Sequence, residues 1–138
     1  MRIYDKCDKI AINYNKLYNY CLRPGSIARS SFNIRKFDQI YTGKDVFDYM
    51  KLHHPEFASP AQKNLLASCI GLLMNLADQK TESFNDKKQM IYNIIRDNFY
   101  SGVNNKYLTN KQKFLLLAAK IHPYVFELLY KVSIHKSK

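Results

Sequence analysis

Apolar side chains follow two rhythms along this chain. Near the start, Ile10 and Ile12 alternate with Ala11 and Asn13, Asn15-Lys16 can turn the chain, and Leu17, Tyr18, Tyr20 and Leu22 lead back. A period of two with a turn between is the pattern of two paired strands. The prediction is a short β-hairpin. A hairpin alone is marginal in water, so these strands call for a larger sheet or a helical partner.

From Thr42 the spacing becomes helical. Thr42-x-x-Asp45 can cap a short helix that runs to about His54. Ser59-Pro60-Ala61-Gln62 is a stronger start: serine caps, proline takes the first helical position, and Gln62 reaches back to complete a capping box. The stripe Leu66, Cys69, Ile70, Leu73, Leu76 and Ala77 then continues to about Lys80. A third helix begins near Asn85, buries Ile91, Ile94, Ile95 and Phe99, and stops at Gly102. Thr109-x-x-Gln112 is a second capping box, opening a helix with Phe114, Leu117, Ala118 and Ile121 inward. His122 precedes Pro123 and is pushed out of helical conformation. Pro123 starts a last helix with Val125, Leu128, Leu129 and Val132 inward. The fold class is therefore mainly α: an N-terminal β-hairpin followed by about five helices packed as a small bundle. Leu115, Leu116 and Phe126 widen the apolar arcs beyond one face. The helices either cover one another or cover a further surface: a sheet, a second copy of the chain or a membrane.

At 138 residues the chain suits one compact unit, in which residues 1–40 form a strand pair with a basic loop and residues 41–138 a helical tail. Residues 55–59 are the best internal boundary. Hydrophobic residues make up 46% of the chain, too many for a disordered tail. The net charge of +11 is unevenly spread. Residues 9–37 hold Lys9, Lys16, Arg23, Arg29, Arg35 and Lys36 with no acid. Residues 98–138 hold Lys106, Lys111, Lys113, Lys120, Lys131, Lys136 and Lys138 against Glu127 alone. Such a balance points to an acidic partner or an anionic surface, and a lysine-rich genome is its ordinary explanation.

The three cysteines, Cys7, Cys21 and Cys69, match no zinc, redox or disulfide pattern and read as free thiols in a reducing cytoplasm. None of the four histidines pairs with a second ligand at helical spacing, so no metal is expected. His53, His54 and His122 fall at helix ends, where the dipole favours them. No signal peptide follows Met1, and the apolar window at residues 65–77 is too short to cross a bilayer.

The stretch most suggestive of chemistry is residues 18–32. It breaks at Pro24-Gly25 and continues through Ser26, Arg29, Ser30 and Ser31. Gly25 lets the backbone turn where a side chain would clash. The serines offer hydroxyls, and Arg23 and Arg29 offer forked, permanent positive charge. Such a loop suits a phosphate or diphosphate, and its ordinary reading is a strand exit with solvated arginines.

Tyr20-x-x-Arg23-x-Gly25-Ser26-Ile27, with Ser30, Phe32, Arg35-Lys36 and Asp38 after it, resembles the Tyr-Arg-x-Arg-x-Gly-Ser-Ile element of bacterial family 2 glycosyltransferases of the GT-A type. The resemblance covers about residues 1–40. Cys21 stands where family members often carry a further arginine, and the sequence holds no Asp-x-Asp. The resemblance implies the C-terminal portion of an enzyme of bacterial surface polysaccharide synthesis, with the catalytic N-terminal half absent. In the complete enzyme, Arg23, Gly25, Ser26 and Arg29 would contact the diphosphate of a nucleotide-sugar such as a UDP-sugar, and a divalent metal would be present. No cofactor and no catalysis are expected of this chain alone. The expected partners are a second copy or the missing half, with an anionic membrane surface as a further one. Nucleic acid is disfavoured, because no recognised motif is present. The expected location is the cytoplasm, at the periphery of the inner membrane. The rival reading is a stand-alone basic helical module that binds nucleic acid or a protein.

Overall fold

The computed structural model describes residues 6–15, 34–77 and 84–135. The chain divides into two compact units, residues 1–33 and 34–138, so the helical unit begins ahead of the boundary expected near residue 40. In the first unit, residues 6–15 are exposed throughout and form no strand. This corrects the first arm of the hairpin. Ile10 and Ile12 lie 61% and 71% exposed, so alternation alone did not bury them. The Asn15 N–H instead donates to Asn13 Oδ1 at 2.9 Å, a local side-chain turn that competes with a strand ladder. The second arm, residues 17–22, lies outside the described residues.

The second unit is mainly helical. A 3-10 turn, Ile34–Phe37, leads into α1 (Asp38–His53), and a second such turn, Pro55–Phe57, leads into α2 (Ala58–Ala77). Then come α3 (Asn85–Asp97), the short α4 (Phe99–Val103), α5 (Asn110–Ile121) and α6 (Pro123–His135). No strand occurs among the described residues. α2 is the central element and packs against α1, α3, α4, α5 and α6.

Several starts and stops differ from expectation. α1 opens at Asp38, not Thr42, because the preceding 3-10 turn already holds helical dihedrals through Phe37. Asp38 then lies in the first turn, where a negative charge is favoured. α1 ends as expected: His54, before Pro55, leaves the helix at φ −143°. α2 opens at Ala58, so Ser59 is no cap. Pro60 fits because the first four N–H groups of a helix lack intrahelical partners.

Gln62 has a different task from capping. It is 4% exposed, inside the core. Its Nε2 donates to Ser101 Oγ at 2.6 Å and faces Asn98 Oδ1 at 3.5 Å. Its Oε1 accepts from Asn105 Nδ2 at 3.1 Å. Asn105 also donates to the Ser59 carbonyl at 2.8 Å, and its Oδ1 accepts from the Tyr107 N–H at 2.9 Å. The two buried amides thus satisfy each other and pin the α4–α5 connection to the start of α2.

Gly102 does not stop α3. The helix ends at Asp97, and Gly102 lies inside α4. A Cβ there would stand 2.7 Å from Leu66 Cδ1 and 3.3 Å from Leu116 Cδ1, so the missing side chain lets α4 approach α2. The expected α2 stripe is largely buried, and Leu65 and Leu72 join it, as a helix covered on several sides requires. On α3, Ile91 and Ile95 are fully buried, Ile94 is only partly covered, and Tyr92 adds to the core.

The Thr109–Gln112 capping box forms with both of its hydrogen bonds. The inward face of α5 is rotated from the expected one, however. Leu115, Leu116, Ala118 and Ala119 are buried, while Phe114, Leu117 and Ile121 are exposed. Both faces are apolar, so periodicity could not choose between them. His122 is extended, at φ −164° and ψ 141°, and α6 restarts at Pro123 as expected. Phe126 is its fully buried residue, whereas Leu128 is exposed. Val125 and Leu129 are partly covered, and the Val132 side chain lies outside the described part.

Asn105→Ala leaves the Gln62 carbonyl and the Ser59 carbonyl without their buried donor. The expected cost is about 2–3 kcal/mol, read as a lower midpoint in urea unfolding. Thr109→Ala removes only an exposed cap and is expected to cost about 1 kcal/mol. Equal effects of the two would mean that the buried amide pair contributes no more than a surface cap.

Candidate functional site

Arg23, Gly25, Ser26 and Arg29, the residues that the sequence singles out for an anion, lie outside the described residues, as does Cys21. The structure begins again at the end of that basic element. Arg35 and Lys36 lie in the 3-10 turn before α1. Phe37 follows at 1% exposure and ties this turn to the bundle. Its ring stacks on Phe84 at a centroid distance of 6.2 Å, and Lys87 Nζ stands 4.6 Å from its centre. Burying the phenylalanine fixes the backbone at the C-terminal side of the basic pair.

Lys36 lines a groove of about 440 Å³ with Gln39 of α1 and Asn64, Ser68, Gly71 and Asn75 of α2. A second groove of about 430 Å³ shares Gln39 and Asn64 and runs toward Thr42, Gly43 and Val46. On α2 the lining positions 64, 67, 68, 71, 72 and 75 follow one helix face, small or polar except at Leu72. That line is visible in the sequence as the complement of the leucine stripe, but sequence reasoning took α2 as core and passed over it. Some of its polar atoms are already engaged. Asn75 donates to the Gly71 carbonyl at 2.9 Å, and Asn64 Oδ1 accepts from Lys63 Nζ at 3.3 Å. Amides, a hydroxyl and one ammonium group suit a hydroxyl-bearing or anionic ligand.

Other titratable groups belong to the structure. Cys69 is fully buried, and burial pushes its thiol from 9.0 up to about 12. It is no nucleophile, since the thiolate is the reactive form. The Tyr92 hydroxyl is raised well above its ordinary value by burial first and the charge of Glu127 second. His53 and His54 sit at the end of α1 and His122 at the end of α5, as expected. His122 also accepts the Tyr124 N–H at Nδ1, at 3.2 Å, and so serves the start of α6. Among the described residues no three His, Cys, Asp or Glu side chains gather as a metal site. No described helix is long and apolar enough to cross a membrane.

No family model, curated protein or solved structure matches this chain.

The buried thiol and phenol give a pH dependence of known sign. Both folded-state pKa values are raised, so the native state holds protons that the unfolded chain releases. The Cys69 contribution is complete below pH 9.0, its ordinary value, and is lost as pH rises toward about 12, while that of Tyr92 begins to fall only above its ordinary 10.0 and persists to higher pH. The melting temperature is expected to fall through that window, and Cys69→Ala should flatten its first part. In the native chain, iodoacetamide should label exposed Cys7 and spare Cys69, as peptide mass spectrometry would show. Labelling of Cys69 at the rate of Cys7 would contradict its burial.

Proposed function

We propose that this chain is the C-terminal portion of a family 2 glycosyltransferase of the GT-A type acting in bacterial surface polysaccharide synthesis. Its basic loop would contact the diphosphate of the nucleotide-sugar donor. The reading rests on one observation: Tyr20-x-x-Arg23-x-Gly25-Ser26-Ile27 runs into Arg35-Lys36, which the buried Phe37 anchors to the helical unit. A loop that holds an anion needs a fixed base, because every segment ordered on binding costs conformational entropy.

The chemistry assigned to the loop is charge neutralisation. As the sugar–phosphate bond breaks, negative charge builds on the departing diphosphate. Positioned cationic and N–H groups stabilise that charge more than the ground state. Arg23 and Arg29 would supply guanidinium forks, Ser26 a hydroxyl, and Gly25 the room for close backbone approach. The helical unit would brace the domain, contribute to the acceptor side or dock on the membrane that carries a lipid-linked acceptor. The divalent metal of such enzymes finds no cluster of ligands among the described residues, so no metal step is assigned to this chain.

Uridine diphosphate titrated into the full chain and followed by amide NMR shifts tests this reading. The expected affinity is on the order of millimolar, since base and ribose contacts are lacking. It should weaken with salt. Arg23→Ala and Arg29→Ala should each reduce it, and Lys136→Ala should not. Shifts confined to residues 22–32 would support the assignment. Shifts spread evenly over all basic surfaces, or none at the loop, would leave only a basic helical module.

A further inference from the structure

The outward face of α5 is where the structure departs most from an ordinary surface helix. Phe114, Leu117 and Ile121 are 56%, 43% and 64% exposed. At 3.6 residues per turn they fall within an arc of about 60°. That arc is centred about 150° from the middle of the buried Leu115, Leu116, Ala118 and Ala119 side. The apolar residues thus occupy the outermost line of the helix. Lys113 and Lys120 border that line on one side and Lys111 on the other. Past the break at Pro123, Tyr124 and Leu128 of α6 are exposed as well.

The charges that α5 itself carries have one sign. Glu127, the lone acid of residues 98–138, is engaged by Lys88 of α3 at 3.4 Å. Lys120 Nζ stands 4.0 Å from the centres of both the Phe99 and Tyr100 rings, which hold the ammonium beside the face without neutralising it.

We propose that this face docks on an anionic lipid surface. Phe114, Leu117 and Ile121 enter the boundary between headgroups and acyl chains, and Lys111, Lys113 and Lys120 meet the lipid phosphates. An interfacial helix needs this combination: apolar side chains on its leading line and cations at the flanks. Charge complementarity selects the occupant. A second copy packed symmetrically would set these lysines against their own counterparts, because such an interface repeats the same patch on both sides. A protein partner would seek pockets for its anchors. This face instead offers projecting side chains, with Phe114 and Ile121 at 56% and 64% exposure. The proposal does not depend on the glycosyltransferase reading, and its test does not involve the loop at residues 22–32.

The test is flotation of the full chain with vesicles of phosphatidylcholine containing phosphatidylglycerol, and with vesicles of phosphatidylcholine alone, at about 0.1 M salt. Binding to the anionic vesicles is expected to be about tenfold stronger or more. Phe114→Ser combined with Ile121→Ser should weaken it by about tenfold or more. Lys111→Ala and Lys113→Ala should each weaken it by about fivefold. Leu52→Ser, at a 76% exposed position on α1, should leave it unchanged. All these positions are exposed or half-covered, and circular dichroism melts check that each variant stays folded. Equal binding to both vesicle types would overturn the proposal. So would a lysine dependence with no effect of the Phe114 and Ile121 changes, since charge alone would then account for binding. Absence of vesicle binding would overturn it in favour of an acidic protein partner. A dimer in sedimentation that Ile121→Ser abolishes would overturn it in favour of self-association.

Discussion

Gln62 and Asn105 form a buried amide pair between the start of α2 and the connection before α5, and the arrangement of the second half follows from it. A helix lined with leucine on several sides could rotate or slide with little change in buried area. An amide pair cannot, because each displaced donor or acceptor would lose its partner away from water. Gln62 reaches Ser101 and faces Asn98 with one end of its amide and takes Asn105 with the other. To bring these groups to one point, the chain must break at Asn98 and turn into the short α4. Gly102 then meets Leu66 so closely that an added Cβ would have to displace the leucine's Cδ1. The direction of α5 is set by that approach, and with it which side of α5 looks outward.

The sequence carried the helices more clearly than their faces. The Thr109–Gln112 box, the His122-Pro123 break and the leucine stripe of α2 were all legible, because each depends on residues a few positions apart. Gln62 was misread for a definite reason. A glutamine three residues after a serine is a capping signature, and only tertiary structure reveals that Ala58 already lies in the helix and that Asn105 waits 43 residues away. Gly102 was taken as a stop because glycine favours helix ends, whereas here its use is close packing. The inward side of α5 was not decidable, since apolar residues occupy nearly every position from Phe114 to Ala119. The hairpin reading failed at Ile10 and Ile12, because alternation reports a pattern and not the presence of a neighbour to pair with. For the candidate site, the proposed anion loop rests on arginines and serines that lie outside the described residues, while the groove beside Lys36 was hidden in the unremarkable positions of an otherwise leucine-rich helix.

Single exposed apolar residues need no explanation, since much of any folded surface is apolar. Leu52 and Phe57, each exposed, are of that kind. α5 differs because its inward line is already complete. Leu115, Leu116, Ala118 and Ala119 fill the space against α2, α3 and α4 without help from the opposite side. Phe114, Leu117 and Ile121 therefore add only partial cover to the bundle. A helix apolar all round is ordinarily one covered all round. The lysines beside that line, with Glu127 held by Lys88, repel a like surface and attract an anionic one. Burial explains one face of α5, and the proposed lipid contact would give the other its use.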